Sequence, residues 1–553
     1  MILEWALNEL KKLKILNDHR NRIQKFINYN KLLWRLVRNN TISENSNKTI
    51  IFEASDQFSI FFIRILFALS ILTSTTRSKA LIISEQKIAS SDLRLKIINS
   101  WCQCEAVSVD ELLKDNLHDL NATATSIFNT LNSPEDILKI TYDGILLGEC
   151  IYDGVIKYTY PTVFRLNSRV FDKILEAIKS YEATLLILRK YEIVAGLFAH
   201  RTTSFQGPIV RALLKNLIPV YTNGGGFKSF IRYNRLHDKN ARIHDFTYFP
   251  PAKYDQVVQK YGIDYLYNKG SQYLNNRMSG TYTASDWQPS LAYSSDKVIF
   301  KSKEEFCTAF NLDKQKPCVF VLLHAMVDDP HIYDLKYYRD FFHWFTTTLK
   351  IVEKISSVNW IFKQHPASVL YPRDVALDEI FFINDHDHIT YITVKDKFNT
   401  KSLIYVADAL VTGGGTAALE YACYGIPAIV AFKNHYDEYD ICVSPNTLQE
   451  YKEALVSIKS IKSVPNENKI KATILFYLIY GKLYTGLLDG ILNLNSDKEN
   501  RISDPIVCSS IAYNSIRRHP VKKLINFIKP IQDFILSAPC ENQDVEIYVD
   551  IQD

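Results

Sequence analysis

Residues able to hold an anion stand in two short stretches. Lys363-Gln364-His365-Pro366 follows the apolar run Trp360-Ile361-Phe362, and Thr412-Gly413-Gly414-Gly415-Thr416 follows a second run that ends at Val411. An ammonium, an imidazole able to donate or accept, and a glycine-rich bend are groups that a phosphate needs. Three successive glycines weaken any helix or strand interior. They suit a place where backbone must approach a ligand, with N–H groups exposed at a helix start. No Lys-Ser/Thr follows them, so this is not the phosphate loop of nucleotide hydrolases, and the spacing is not the Gly-x-Gly-x-x-Gly dinucleotide fingerprint. Glu420 lies one turn into the next helix. A capping-box glutamate would stand at Leu419, which leaves Glu420 free to point at a ligand. Pro366 stiffens its turn. The plainer readings are a tight strand-to-helix turn, a solvated strand end at Lys363 and a turn-capping His365. The three features together are more specific than any one.

Metal chemistry has little support. Asp385-His386-Asp387 has the spacing of a metal-binding pair but precedes a strand, the wrong end of a parallel sheet, and Asp328-Asp329 is adjacent rather than spaced. The nine cysteines show no ligand spacing. No metal and no cofactor is expected.

The elements that position these residues are legible as an alternation of strands and helices. The chain has 553 residues, 47% hydrophobic and 23% charged, the balance of a globular protein of two or three domains. A net charge of +5 is small for that length and argues against nucleic acid. Scattered cysteines and the absence of a signal peptide at Met1 point to a reduced, cytoplasmic chain. The apolar run from Phe58 to Thr73 is broken by Arg64 and short for a membrane span, so a core helix is expected. Lys48–Ala54, Lys79–Ile83, Tyr191–Phe198, Pro317–His324, Val358–Lys363, Ile389–Val394 and Asp408–Val411 read as strands with helices between them, the order of parallel sheets with crossovers.

One unit occurs twice. His200 to Val220 runs from a strand through a polar loop and a helix to Ile218-Pro219 and another strand. Its Ser204, Gly207 and Ile218-Pro219 fall on Thr412, Gly415 and Ile426-Pro427 at equal spacing. The expectation is α/β: two Rossmann-like doubly wound domains facing a central cleft, with added terminal helices. Expected bounds are a basic amphipathic segment at 1–40, a first domain at 41–312, with the Tyr- and Gly-rich 222–302 packed in it. A second domain follows at 313–495, then C-terminal helices and an acidic tail at 496–553. In such sheets ligands bind at the carboxyl ends of strands.

The motif Lys-x-His-Pro, then Thr412 to Pro427, Tyr436-Asp437 and Pro445-Asn446-Thr447 to Tyr451, resembles the C-terminal half of GT-B glycosyltransferases of bacterial capsule and surface-polysaccharide synthesis, among them the Kdo-transferring capsule enzymes. Gly148-Glu149-Cys150-Ile151-Tyr152-Asp153 and His200 to Val220 are also similar to such proteins, so the resemblance spans about residues 140–455. It implies the GT-B fold, a donor held mainly by the second domain and metal-independent chemistry. It also implies that Lys363 and His365 contact the donor phosphate, Thr412 to Thr416 supply backbone donors, and Glu420 accepts from the ribose hydroxyls.

Such a transfer needs a base for the acceptor hydroxyl, or a nucleophile on the sugar's other face if configuration is retained. The first domain offers Asp153, placed before Gly154 where a strand is expected to open into the cleft, then Glu149 and His200. Each has a bland reading as a cap, a surface carboxylate or a core histidine. The expected partners are a nucleotide-sugar donor and a lipid-linked or growing polysaccharide acceptor. A CMP-linked acidic sugar such as CMP-Kdo is favoured over a UDP-sugar, with Arg201, Arg211 and Arg232 as spare cations. Basic clusters at 1–40 and at Arg517 to Lys529 suit the inner face of the cytoplasmic membrane. A nucleotide-sugar 2-epimerase, a polyol-phosphate transferase and a non-catalytic assembly scaffold are the alternatives.

Overall fold

A computed structural model describes residues 47–53, 60–90, 92–100, 102–157, 159–198, 201–222, 234–236, 249–280, 291–371, 380–381 and 386–481, with Gln24, Leu377 and Leu536. The basic segment 1–40, the C-terminal part 496–553, Arg232 and His200 lie outside the described residues, apart from Gln24 and Leu536.

Short, almost wholly apolar runs rich in β-branched residues form strands because both sheet faces are covered. The first sheet contains β1 (Lys48–Glu53), β2 (Lys79–Ser84) and β3 (Cys104–Ser108); β4 (Thr141–Tyr142) and β5 (Ile145–Leu146) make a separate hairpin; β6 (Glu192–Leu197), β7 (Val220–Thr222) and β8 (Asn234–Leu236) complete it. Its order is β3-β2-β1-β6-β7-β8, parallel except for the β7–β8 pair. The second sheet contains β9 (Cys318–Leu322), β10 (Asn359–Lys363), β11 (Ile389–Ile392), β12 (Ala409–Thr412) and β13 (Ala428–Val430), in the all-parallel order β11-β10-β9-β12-β13.

Both sheets are wound alike. The chain starts in the middle, moves outward through two strands, then crosses to the other side of the first. The strand order reverses between β1 and β6 and again between β9 and β12, and such switch points open a crevice at the strand C-termini. The fold is α/β with two Rossmann-like doubly wound units. The sequence repeat occupies one place in both: β6, the helix Gln206–Lys215 and β7 match β12, the helix Thr416–Ala422 and β13.

Alternation along the second sheet separates its faces. Phe320, Ile361 and Leu410 pack toward the helices Thr416–Ala422 and Asn466–Phe476, whereas Val321, Phe362 and Val411 pack toward the helix Phe341–Val352. In the first sheet Ile51, Leu81 and Ile83 join a core with the helices Ser168–Lys190 and Gln206–Lys215. The run expected as a core helix is the helix Ile60–Thr76, with Ile65, Leu69 and Leu72 buried. Among the described residues no helix is long and apolar enough to cross a membrane.

Two expectations are corrected. Gly148 to Asp153 does not lead into a strand; Gly148–Ile156 is a helix, and Asp153 lies inside it with no exposed surface. Residues 249–280 and 291–310, expected with the first domain, share their core with the second sheet: Leu266, Leu274 and Phe306 pack with Phe320 and Leu410. The cause is a long-range contact. Gly270 lies so close to the 466–476 helix that a β-carbon there would come within 2.7 Å of the Thr473 carbonyl oxygen.

Candidate functional site

The loops that follow β9, β10 and β12 close around one cavity of about 230 Å³. Of the residues expected to bind a nucleotide phosphate, Lys363, His365, Thr412, Gly415, Thr416 and Glu420 line it. Gly413 and Gly414 stand behind the wall. A β-carbon at Gly413 would meet the Phe432 ring at 2.2 Å and His324 Nε2 at 2.7 Å, so this glycine admits close packing rather than a ligand.

Lys363 ends β10 and is buried, 8% exposed. Its Nζ donates to the Gln364 carbonyl at 3.3 Å, and no carboxylate among the described residues pairs with it. Burial, then repulsion from Lys297, lowers its pKa to about 7. His365 Nδ1 accepts the Ala367 N–H at 3.1 Å, which assigns the proton to Nε2 in the neutral ring. Burial and Lys363 push that imidazole down to about 4. His324 Nε2 accepts the Gly414 N–H at 3.1 Å and is lowered to about 3, mainly by burial. One amide of the glycine bend is therefore engaged by a histidine. The arrangement is an ammonium short of counter-charge beside two neutral rings, and an incoming anion would supply what it lacks.

Glu420 is not free. Its Oε1 accepts from Arg277 Nε at 2.6 Å and from Tyr293 Oη at 3.0 Å, and the carboxylate is buried at the cavity wall. The aromatic-Asp element touches the bend as well, since Tyr436 Oη donates to the Gly415 carbonyl at 2.8 Å. Tyr451, by contrast, is core: its hydroxyl accepts from Trp344 Nε1 at 3.1 Å beneath the sheet. Among the described residues no group of three or more His, Cys, Asp or Glu is arranged to hold a metal ion.

No family model matches the chain. No curated protein matches it either. Among solved structures it is similar to the UDP-GlcNAc 2-epimerase of Neisseria meningitidis, at 10% identity and a TM-score of 0.23 over 85% of this chain and all of that one. It is similar to KpsC of Thermosulfurimonas dismutans, a beta Kdo 2,4 transferase, at 10% identity and 0.28 over 51% and 87% of the two chains. The wall teichoic acid polymerase TagF gives 11% and 0.22 over 93% and 98%. These scores are low, and the two-unit architecture rests on the strand orders.

The first unit brings none of its expected catalytic residues to the cavity among the described residues. Asp153 Oδ1 accepts from His331 Nδ1 at 2.5 Å, and Oδ2 from the His331 backbone N–H at 3.3 Å. Burial raises the Asp153 carboxyl, against the pull of His331. Burial alone would lower the imidazole, yet the Asp153 carboxylate raises it overall. Glu149 pairs with Arg211 at 3.2 Å, and Arg211 also donates to the Leu146 carbonyl. Arg211 is thus no spare cation. His200 lies outside the described residues.

Sequence reasoning reached the His324–His331 loop as a segment without singling out either histidine. It missed Arg277 and Tyr293. His324 carried a signal, as the residue that closes an apolar strand beside the switch point; Arg277 and Tyr293 carried none, because their part in the site depends on which sheet residues 249–280 and 291–310 join.

Proposed function

We propose that the protein is a glycosyltransferase that moves a sugar from a nucleotide-activated donor to a lipid-linked or growing surface polysaccharide. The observation that carries this reading is the buried Lys363 ammonium, without a carboxylate partner, at the C-terminal end of a switch-point sheet beside the His365 Nε2–H donor. Charge on the departing nucleotide phosphate grows in the transition state, and fixed donors aimed at it typically contribute about 3–4 kcal/mol each. One ammonium and neutral imidazoles suit a single phosphate, which with the sequence resemblance favours a CMP-linked acidic sugar. Glu420 is available to ribose only through the Arg277 and Tyr293 network. Asp153 and Glu149 are both engaged within the protein.

A 2-epimerase is the second reading, because Asp328, Glu420, His324 and His365 all line the same cavity. One experiment separates the two. Incubated with nucleotide sugars, a transferase releases free nucleotide only when an acceptor glycan is added, whereas an epimerase converts the donor alone. Conversion without acceptor would overturn the transferase reading.

A further inference from the structure

The helix Gly148–Ile156 belongs to the first unit and lines no part of the cavity, yet its polar side chains reach into the 328–340 segment of the second. Tyr152 Oη donates to Asp340 Oδ2 at 2.5 Å. Asp153 takes both the ring and the backbone N–H of His331. Lys157, just past the helix, pairs with Asp329 at 2.7 Å and Asp328 at 3.2 Å. The helix packs tightly within its own unit: a β-carbon at Gly154 would come within 2.2 Å of Ser204 Oγ.

What it holds is the cavity's own wall. Ala325, Asp328, Ile332 and Tyr333 line the cavity from the loop that carries His331. Within that loop Asp329 has φ 45°, a left-handed conformation that a non-glycine residue keeps only when its surroundings impose it. His331 is 7% exposed, and its Nε2 has no hydrogen-bond partner. Hence, among the described residues, every polar contact of this imidazole is to Asp153. Its removal would leave a buried ring and a buried backbone amide without partners.

We propose that Asp153 and His331 are positioning residues that hold the 325–333 wall in its ligand-binding shape, so that the nucleotide cavity is complete only while the two units are joined. This rests on the nucleotide-donor reading. The pair acts through the loop and touches no donor atom.

The test titrates CMP, UDP and GDP into the wild type and into His331→Phe, Asp153→Ala and His331→Asn, with hydrogen exchange of the wild type in parallel. His331→Phe keeps a ring without the donor; His331→Asn restores an N–H near the Nδ1 position. The nucleotide that saturates the wild type should bind about tenfold more weakly to folded His331→Phe and Asp153→Ala, and within about threefold of wild type to His331→Asn. Saturation should also slow exchange across residues 148–156, which lie outside the cavity. Unchanged affinity in folded His331→Phe overturns the assignment. If the variants do not fold, unchanged exchange at 148–156 in the saturated wild type overturns it instead. If no nucleotide binds the wild type, the donor reading has failed and this inference falls with it.

Discussion

At Lys363 burial works against charge, and the charge is not neutralised within the protein. Replacing such a cation by an apolar chain of similar length removes a desolvation penalty. Lys363→Met should therefore raise the thermal midpoint while weakening nucleotide binding by about ten- to a hundredfold, since a hydrogen bond to a charged group contributes about 1.5–3 kcal/mol. Stability and binding moving in opposite directions would mark a ligand-holding residue. The pH dependence follows from the same burial. The folded pKa, about 7, lies below the ordinary 10.5, so the unfolded chain binds more protons in that window and folding strengthens as pH rises through it. Anion binding must reverse the shift. At pH 8 the free site is mostly neutral and the occupied site protonated, so calorimetry in buffers of different ionisation enthalpy should show uptake of up to about one proton. Affinity should fall as pH rises above about 7. An affinity that rises with pH would contradict the role given to the ammonium.

Among the elements, the strand–bend–helix unit around β12 depends on Glu420 and Gly413 in different ways. Glu420→Ala leaves the Arg277 guanidinium buried without its carboxylate, and breaking such a pair destabilises by about 3–5 kcal/mol; urea denaturation should show the loss. Gly413→Ala would drive a methyl into Phe432 and His324, an overpacking effect of about 1–3 kcal/mol. Apart from β3 and β8, the strands of both sheets were legible because each is a short apolar run covered on two faces, and the repeat around Ser204 and Thr412 was legible because both copies occupy one topological place. The Gly148–Ile156 helix was not. Its two glycines lower helix propensity, and they are tolerated because Gly148 and Gly154 lie where the Ile137 carbonyl and Ser204 approach. Local periodicity carries no trace of those neighbours. At the site, the sequence pointed to Lys363 and His365, but the partners of Glu420 come from 143 and 127 residues away.

For the whole molecule, polar contacts, several of them buried, join the two units among the described residues. Asp340 caps the helix Phe341–Val352 by accepting the His343 N–H at 2.6 Å, and it also accepts from Tyr152 and Thr162 of the first unit at 2.5 Å each. Arg339 adds a pair with Glu135 and donates to Thr162 at 3.0 Å. Asp340→Ala removes a cap and two interunit hydrogen bonds together, and should lower the unfolding free energy by about 2–4 kcal/mol, read by denaturant titration. Residues 249–280 and 291–310 and the Asn466–Phe476 helix lie together on the second sheet. The central claim concerns the cavity beside β10 and β12, and calorimetric titration with CMP, UDP and GDP tests it most directly. One of the three should saturate a single site in the wild type and bind at least about tenfold more weakly to Lys363→Met. Failure of all three to bind, or equal binding by the variant, would contradict it.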